Sequence, residues 1–239
     1  MEAAIAAGRL LALKDAAAVA REAVRIWAAG ARRPGGFRVA ISGGKTPEGF
    51  FRMLASLQDL PWPTTEIFWV DERHVPPDHA ESNYHLARAA LLDHVPIPKS
   101  NIHPMPTGSS DPKSDAQDYE VLLRRKFLGQ SWPSFDLVLL GLGDDGHTAS
   151  LFPSDPALQE SLRWVLATRS PQGVRDRLTL TIPALNQASK KVFLVCGSGK
   201  AGILKAVLDP QASAPLPARL ITGALFLADR EAAPWASQA

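Results

Sequence analysis

Within the turn Gly141-Leu142-Gly143-Asp144-Asp145-Gly146-His147, a carboxylate stands two residues before an imidazole, with glycines on both sides. A histidine held by a neighbouring carboxylate in a tight turn is poised to accept a proton near neutral pH, so general-base activation of water is the chemistry this pattern suggests, with His147 as base and Asp145 as its orienting partner. A second candidate is Ser42-Gly43-Gly44-Lys45-Thr46-Pro47: two glycines, two hydroxyls and a lysine in one turn suit an anion, because glycine lets backbone N–H groups approach it and a following helix dipole favours it. Charged side chains elsewhere fall at element ends where they can converge on the same anion: Asp71-Glu72-Arg73-His74 closes an apolar run, Arg177 opens one, and Lys200 follows Gly197-Ser198-Gly199. Charge-assisted hydrogen bonds contribute about 1.5–3 kcal/mol each, so two or three hold a phosphate.

Elements must place these groups together. Leu137 to Leu140 reads as a strand buried on both faces, and such strands in open α/β sheets deliver ligand sites at their carboxyl ends. Phe37 to Ile41 is a strand that breaks at Ser42, after which Thr46 as N-cap and Pro47 at the first helical position predict a helix to about Leu57. Apolar spacing predicts a helix from about Asp15 to Ala31, capped by Asp15 and ended by Gly30. Glu66 to Asp71, Trp164 to Thr168, Leu178 to Ile182 and Val192 to Val195 read as strands. Asn83 to His94, Asp115 to Leu128 and Lys200 to Leu208 read as helices. Strands alternating with helices predict an α/β fold, a mostly parallel sheet with helices on both faces.

Composition sets bounds. A 239-residue chain with 46% hydrophobic and 21% charged residues can bury a full core, and with no linker-like stretch it reads as one domain over residues 1–239. A net charge of +2 gives no basic face for nucleic acid, and no apolar stretch reaches a membrane span. The single Cys196, inside an apolar run, reads as a small buried hydrophobe, and the Ala-rich start lacks the marks of a signal or transit peptide; a reducing, cytoplasmic setting follows. No feature of the chain fixes an oligomeric state.

Other chemistries fit worse. Gly141 to Gly146 matches the dinucleotide spacing G-x-G-x-x-G, but Asp144 and Asp145 would repel a pyrophosphate and Pro153 limits the helix that should follow. Gly199-Lys200-Ala201 lacks the magnesium-binding hydroxyl of a nucleotide loop, no G-x-S-x-G elbow occurs, and Pro76 and Pro77 oppose a helical metal site built on His74, His79 and His85. No metal and no cofactor are expected.

Together these residues resemble the 6-phosphogluconolactonase family, whose members share an SGG-x-TP turn, a DER segment with a later SN pair, and a G-x-DGHTASLFP block. Here they are Ser42 to Pro47, Asp71-Glu72-Arg73 with Ser82-Asn83, and Gly143 to Pro153; Arg177 to Thr181, Gly197 with Lys200, and Leu216-Pro217-Ala218 extend the match over about residues 35 to 235. Lys45 stands where serine is frequent, and Leu225 to Arg230 is a loosened W-F-x-D-like ending. The resemblance implies the modified Rossmann-like fold of sugar-phosphate isomerases and deaminases. It also implies hydrolysis of 6-phospho-D-glucono-1,5-lactone to 6-phosphogluconate in the oxidative pentose phosphate pathway. His147 would be the base, with Asp145 beside it; Arg73, Arg177 and Lys200, with Asp71 nearby and assisted by Ser42, Gly43, Gly44, Lys45 and Thr46, would hold the phosphate or lactone oxygens. The sole expected partner is that small sugar-phosphate lactone.

Two other readings compete. An amino-sugar-phosphate deaminase or isomerase would resemble this fold, but should carry D-E-Y where Arg73 stands and an F-N-E-P-like end where Leu151-Phe152-Pro153 stands. A non-catalytic sugar-phosphate-binding regulator should lose the base or add a DNA-binding segment, whereas His147 is present.

Overall fold

The computed structural model describes residues 9–211 and 215–236, apart from the side chain of Lys45. Seven parallel strands form the main sheet: β1 (Arg9–Leu13), β2 (Phe37–Ile41), β3 (Thr65–Trp69), β5 (Ile102–His103), β6 (Leu137–Leu140), β9 (Lys191–Val195) and β10 (Leu225–Asp229). Their spatial order is β1-β10-β9-β6-β2-β3-β5. A separate antiparallel sheet, β4-β8-β7, joins β4 (Asp71–Arg73), β8 (Asp176–Leu180) and β7 (Val165–Arg169). The longer helices are α1 (Ala16–Ala31), α2 (Lys45–Ala55), α3 (Asn83–Ala90), α4 (Pro112–Lys126) and α6 (Ala201–Leu208), with a short α5 (Ile182–Asn186).

The order in which strands are added reverses between the parallel neighbours β2 and β6: β3 and β5 follow β2 to one side, β9 and β10 follow β6 to the other. Loops leaving the carboxyl ends of two such strands diverge and leave a crevice, the place where open α/β sheets bind ligands. The loop after β2 is Ser42-Gly43-Gly44, and the loop after β6 runs from Gly141 to His147.

Central strands are buried on both faces, Val39, Ala40, Ile67, Phe68, Val138 and Leu140 completely. Trp27, Phe37, Phe50 and Trp62 cluster on one side, Phe68, Phe127 and Phe135 on another, with ring centroids 5.0–6.4 Å apart. Burying each aromatic ring contributes about 1.5–3 kcal/mol. Caps agree with the local chemistry: Asp15 accepts from the Ala18 N–H at 2.8 Å, Ser82 from His85 at 3.1 Å and Asp111 from Lys113 at 3.0 Å.

Three expectations need correction. The run Glu66 to Asp71 is two strands: at Val70 the chain leaves the parallel sheet, its N–H bonded to Ile41 and its carbonyl to Leu180, and Asp71 begins the antiparallel one. Helix α2 starts at Lys45 with Gly44 as an N-cap that lends no side chain, so Thr46 is inside the helix and its hydroxyl lies beside the Cys196 thiol. Helix α3 ends at Ala90 because Leu91 turns to φ −139°, and Leu92–His94 is a separate 3-10 turn.

At the sheet end away from the crevice, Glu66 binds Lys126 at 2.7 Å, His103 at 2.9 Å and Arg38 at 3.2 Å. Burial raises the Glu66 carboxyl, but Lys126, His103 and Arg38 outweigh it and the pKa falls below 4.5. Burial keeps His103 below its own ordinary value, so at neutral pH that contact is a hydrogen bond to a neutral imidazole. A carboxyl with a depressed folded pKa stabilises the fold above its unfolded value, and that contribution is lost as pH falls through the folded one. Glu66→Gln is therefore expected to cost on the order of 1–3 kcal/mol at neutral pH. Urea unfolding of both proteins should show the gap closing as pH falls through the depressed folded pKa of Glu66, whereas a pH-independent gap would contradict the charge network as its source.

Candidate active site

A cleft of about 620 Å³ opens at the β2/β6 crossover. Its walls include Ser42, Gly43, Gly44, Thr46, Asp71, Arg73, His147, Arg177 and Lys200, so ten of the eleven residues singled out in the sequence, Asp145 among them through His147, converge there. The eleventh is Lys45, whose side chain lies outside the described residues; its backbone opens α2 beside the cleft.

The base turn is built around one carboxylate. Asp145 Oδ1 accepts from the His147 backbone N–H at 3.0 Å and lies 2.5 Å from the His147 Nδ1. Burial pushes the Asp145 carboxyl up, but the backbone N–H and the imidazole of His147 more than compensate, so it sits below the usual aspartate value and stays ionised. An ionised acceptor selects the tautomer with the proton on Nδ1 and leaves the lone pair on Nε2. The ring is about one-third exposed (34%) and packs on Phe152 at 4.9 Å between centroids. A Cβ at Gly143 would fall 2.0 Å from Nδ1, which is why the position beneath the ring is glycine. From behind, the Gly146 carbonyl accepts from the Ala218 N–H at 3.1 Å, so the Leu216-Pro217-Ala218 segment braces the turn.

The cationic wall comes from the small sheet. Arg73 on β4 and Arg177 on β8 are direct cross-strand partners. Burial, then the neighbouring Arg73, lowers the Arg177 pKa. Neither guanidinium forms an ion pair among the described residues; Arg73 Nη1 donates to the Glu81 carbonyl at 2.6 Å and Arg177 Nε to the Val174 carbonyl at 2.8 Å. Arg73 Nε is buried without a partner. Like charges placed opposite each other repel, and an anion between them relieves the repulsion. Lys200 approaches from the other side of the cleft with its ammonium on Asp144 at 2.5 Å. Helix α2 adds an N-terminus free of any side-chain cap.

Carboxylates 71 and 72 divide their labour. Asp71 reaches the cleft wall, but its oxygens are taken by Ser150 Oγ at 2.7 Å and Asn83 Nδ2 at 3.4 Å. Glu72 lies outside the cleft lining and accepts from the N–H groups of Arg73, Asn83 and Tyr84 and from the Ser82 hydroxyl, tying β4 to the start of α3. Asn83 was visible only as half of a two-residue motif. Its Oδ1 sits 1.9 Å from where a Gly43 Cβ would be, so Gly43 is obliged by this amide as well as by any anion. Ser150, seen in the sequence only as part of the Gly143 to Pro153 block, also lines the cleft, as do Gln172 and Gly173, which had no signal: they belong to the β7–β8 turn, which only the pairing of the small sheet brings overhead.

Cys196 is half-buried on the cleft floor, and burial with the adjacent Asp229 pushes its thiol up to about 12, unsuited to a nucleophile. His74 is paired with Asp115 at 2.8 Å, and among the described residues no three His, Cys, Asp or Glu side chains form a metal-type cluster. No described helix is long and apolar enough to cross a membrane.

Comparison with known proteins gives a consistent result. The sequence model of the family described as glucosamine-6-phosphate isomerases/6-phosphogluconolactonase matches residues 13–227. The 6-phosphogluconolactonase of Synechocystis sp. strain PCC 6803 is 50% identical over 186 residues, covering 77% of this chain and 76% of its own. The solved structure of 6-phosphogluconolactonase from Thermotoga maritima superposes with a TM-score of 0.81 at 29% identity, over 93% of this chain and 99% of that one. A monomeric glucosamine-6-phosphate deaminase superposes with a TM-score of 0.80 at 22% identity, over 94% and 98% of the two chains, a likeness of fold alone.

Proposed function

From the premise that the chain belongs to the glucosamine-6-phosphate isomerase/6-phosphogluconolactonase family, we propose how its cleft performs the chemistry. The protein is a lactone hydrolase that converts 6-phospho-D-glucono-1,5-lactone to 6-phospho-D-gluconate. His147 is the general base: Nε2, freed by the Nδ1 contact with Asp145, takes a proton from water as the water oxygen attacks the lactone carbonyl carbon. A δ-lactone is a reactive ester, so a positioned water and donors for the developing oxyanion suffice without a covalent intermediate. The bond from that carbon to the ring oxygen then breaks, the imidazolium returns its proton to the departing oxygen, and the new carboxylic acid ionises with release of one proton.

Arg73, Arg177 and Lys200 hold the phosphate, with the Ser42–Thr46 turn and the start of α2 assisting; Asp71 positions the wall through Ser150 and Asn83. The observation that carries this reading is the pair of cross-strand arginines, without carboxylate partners among the described residues, facing the same cleft as an imidazole whose Nδ1 is held by Asp145. We further place the whole 239-residue chain in one such domain, acting in the oxidative pentose phosphate pathway of a reducing cytoplasm, as its lone half-buried cysteine suggests.

Proton release from the lactone, corrected for spontaneous opening, tests the activity, with glucosamine 6-phosphate assayed in parallel for ammonia. Acceleration of the first without the second is expected. Ammonia release without lactone opening would reverse the assignment.

A further inference from the structure

Of the three cleft cations, Lys200 alone has a carboxylate partner among the described residues. Its partner, Asp144, stands beside Asp145 in the turn that carries the base, so one turn aims one carboxylate at the imidazole and the next at the ammonium. The pair is unequal: the Lys200 side chain is 27% exposed, whereas that of Asp144 is 85% exposed and makes no other side-chain hydrogen bond among the described residues. The Asp144 carboxylate is thus a largely exposed negative charge, held by Lys200 alone among the described side chains, on the wall of a site otherwise built to collect negative charge.

We propose that Asp144 is an internal competitor for Lys200 that weakens the cleft's hold on product more than on substrate. An arriving phosphate takes the ammonium from Asp144, whose charge then faces the bound anion. Hydrolysis turns an uncharged ester into a carboxylate and a released proton, so the product carries one negative charge more than the lactone. That new charge arises at the carbon served by His147, on the same turn as Asp144. Repulsion therefore grows at the moment of product formation and favours release. This rests on the lactonase reading of the cleft. Through solvent such a charge changes affinity by about two- to fivefold and is weakened by salt.

The test is calorimetric titration of 6-phosphogluconate and inorganic phosphate into the wild type, Asp144→Asn and Asp144→Glu at low and high ionic strength, with KM for the lactone measured alongside. D144N should bind 6-phosphogluconate about two- to fivefold more tightly than the wild type, with a smaller fall in KM, and the difference should shrink in high salt. D144E, which keeps the charge, should follow the wild type. Equal or weaker product binding by D144N would overturn the proposal and make Asp144 a mere support for Lys200, and so would equal factors for product and lactone. Binding of 6-phosphogluconate is read without turnover, so a chain that failed to open the lactone would refute the lactonase reading, while product affinity in D144N against the wild type still decided whether Asp144 opposes a bound anion.

Discussion

Replacing His147 with alanine should lower kcat for lactone opening by about 10²–10⁴, the contribution of a positioned general base. The expectation rests on geometry: Asp145 occupies Nδ1, so the ring keeps one basic nitrogen and that ring lines the cleft. Folding should survive, because the turn is closed by main-chain bonds from Gly143 N–H to the His147 carbonyl and from Gly146 N–H to the Gly143 carbonyl, which alanine retains. KM should move little, since the phosphate grip lies on other elements. His147→Gln, which keeps a polar side chain without a basic nitrogen, should be nearly as slow. Stopped-flow proton release at pH 7, with thermal unfolding as a control, measures both. Turnover close to wild type in H147A would remove the base from the mechanism.

Arg177→Met should show effects of opposite sign on activity and stability. Losing one charge-assisted bond to the phosphate removes about 1.5–3 kcal/mol, a fall in kcat/KM of roughly ten- to a hundredfold carried mainly by KM. Yet in the free protein Arg177 is a half-buried cation opposite another, and burial and Arg73 together disfavour its charge. A long apolar side chain keeps much of the packing and ends that repulsion, so the melting temperature should stay level or rise. A structural arginine would behave otherwise: R177M with reduced stability and unchanged KM would contradict the assignment.

Local features of the site were readable from the chain because they depend on neighbours. Leu137–Leu140 is a strand by its apolar run, and Asp145 and His147 meet because only Gly146 separates them. What the chain concealed is non-local. Glu66 to Asp71 looks continuous because both sheets use extended backbone, and only contacts from Ile41 and Leu180 divide it at Val70. The Arg73–Arg177 pairing follows from a strand register more than a hundred positions distant in sequence, and β5, two residues long, exists because β3 is there to pair with it. Gly43 reads as room for an anion, whereas the amide of Asn83 supplies a second reason that no spacing rule contains.

Strand β1 pairs along its whole length with β10, Arg9 opposite Leu225 and Leu13 opposite Asp229, and Ala218 props the turn bearing the imidazole. During synthesis, therefore, β1 waits on the ribosome for β10, and the catalytic loop lacks its brace until residue 218 has emerged. Such distant closure is slow to form. A nascent chain stalled before residue 218 should hold much of its central sheet yet turn over nothing, so that catalytic competence arrives in a single late step rather than growing with length.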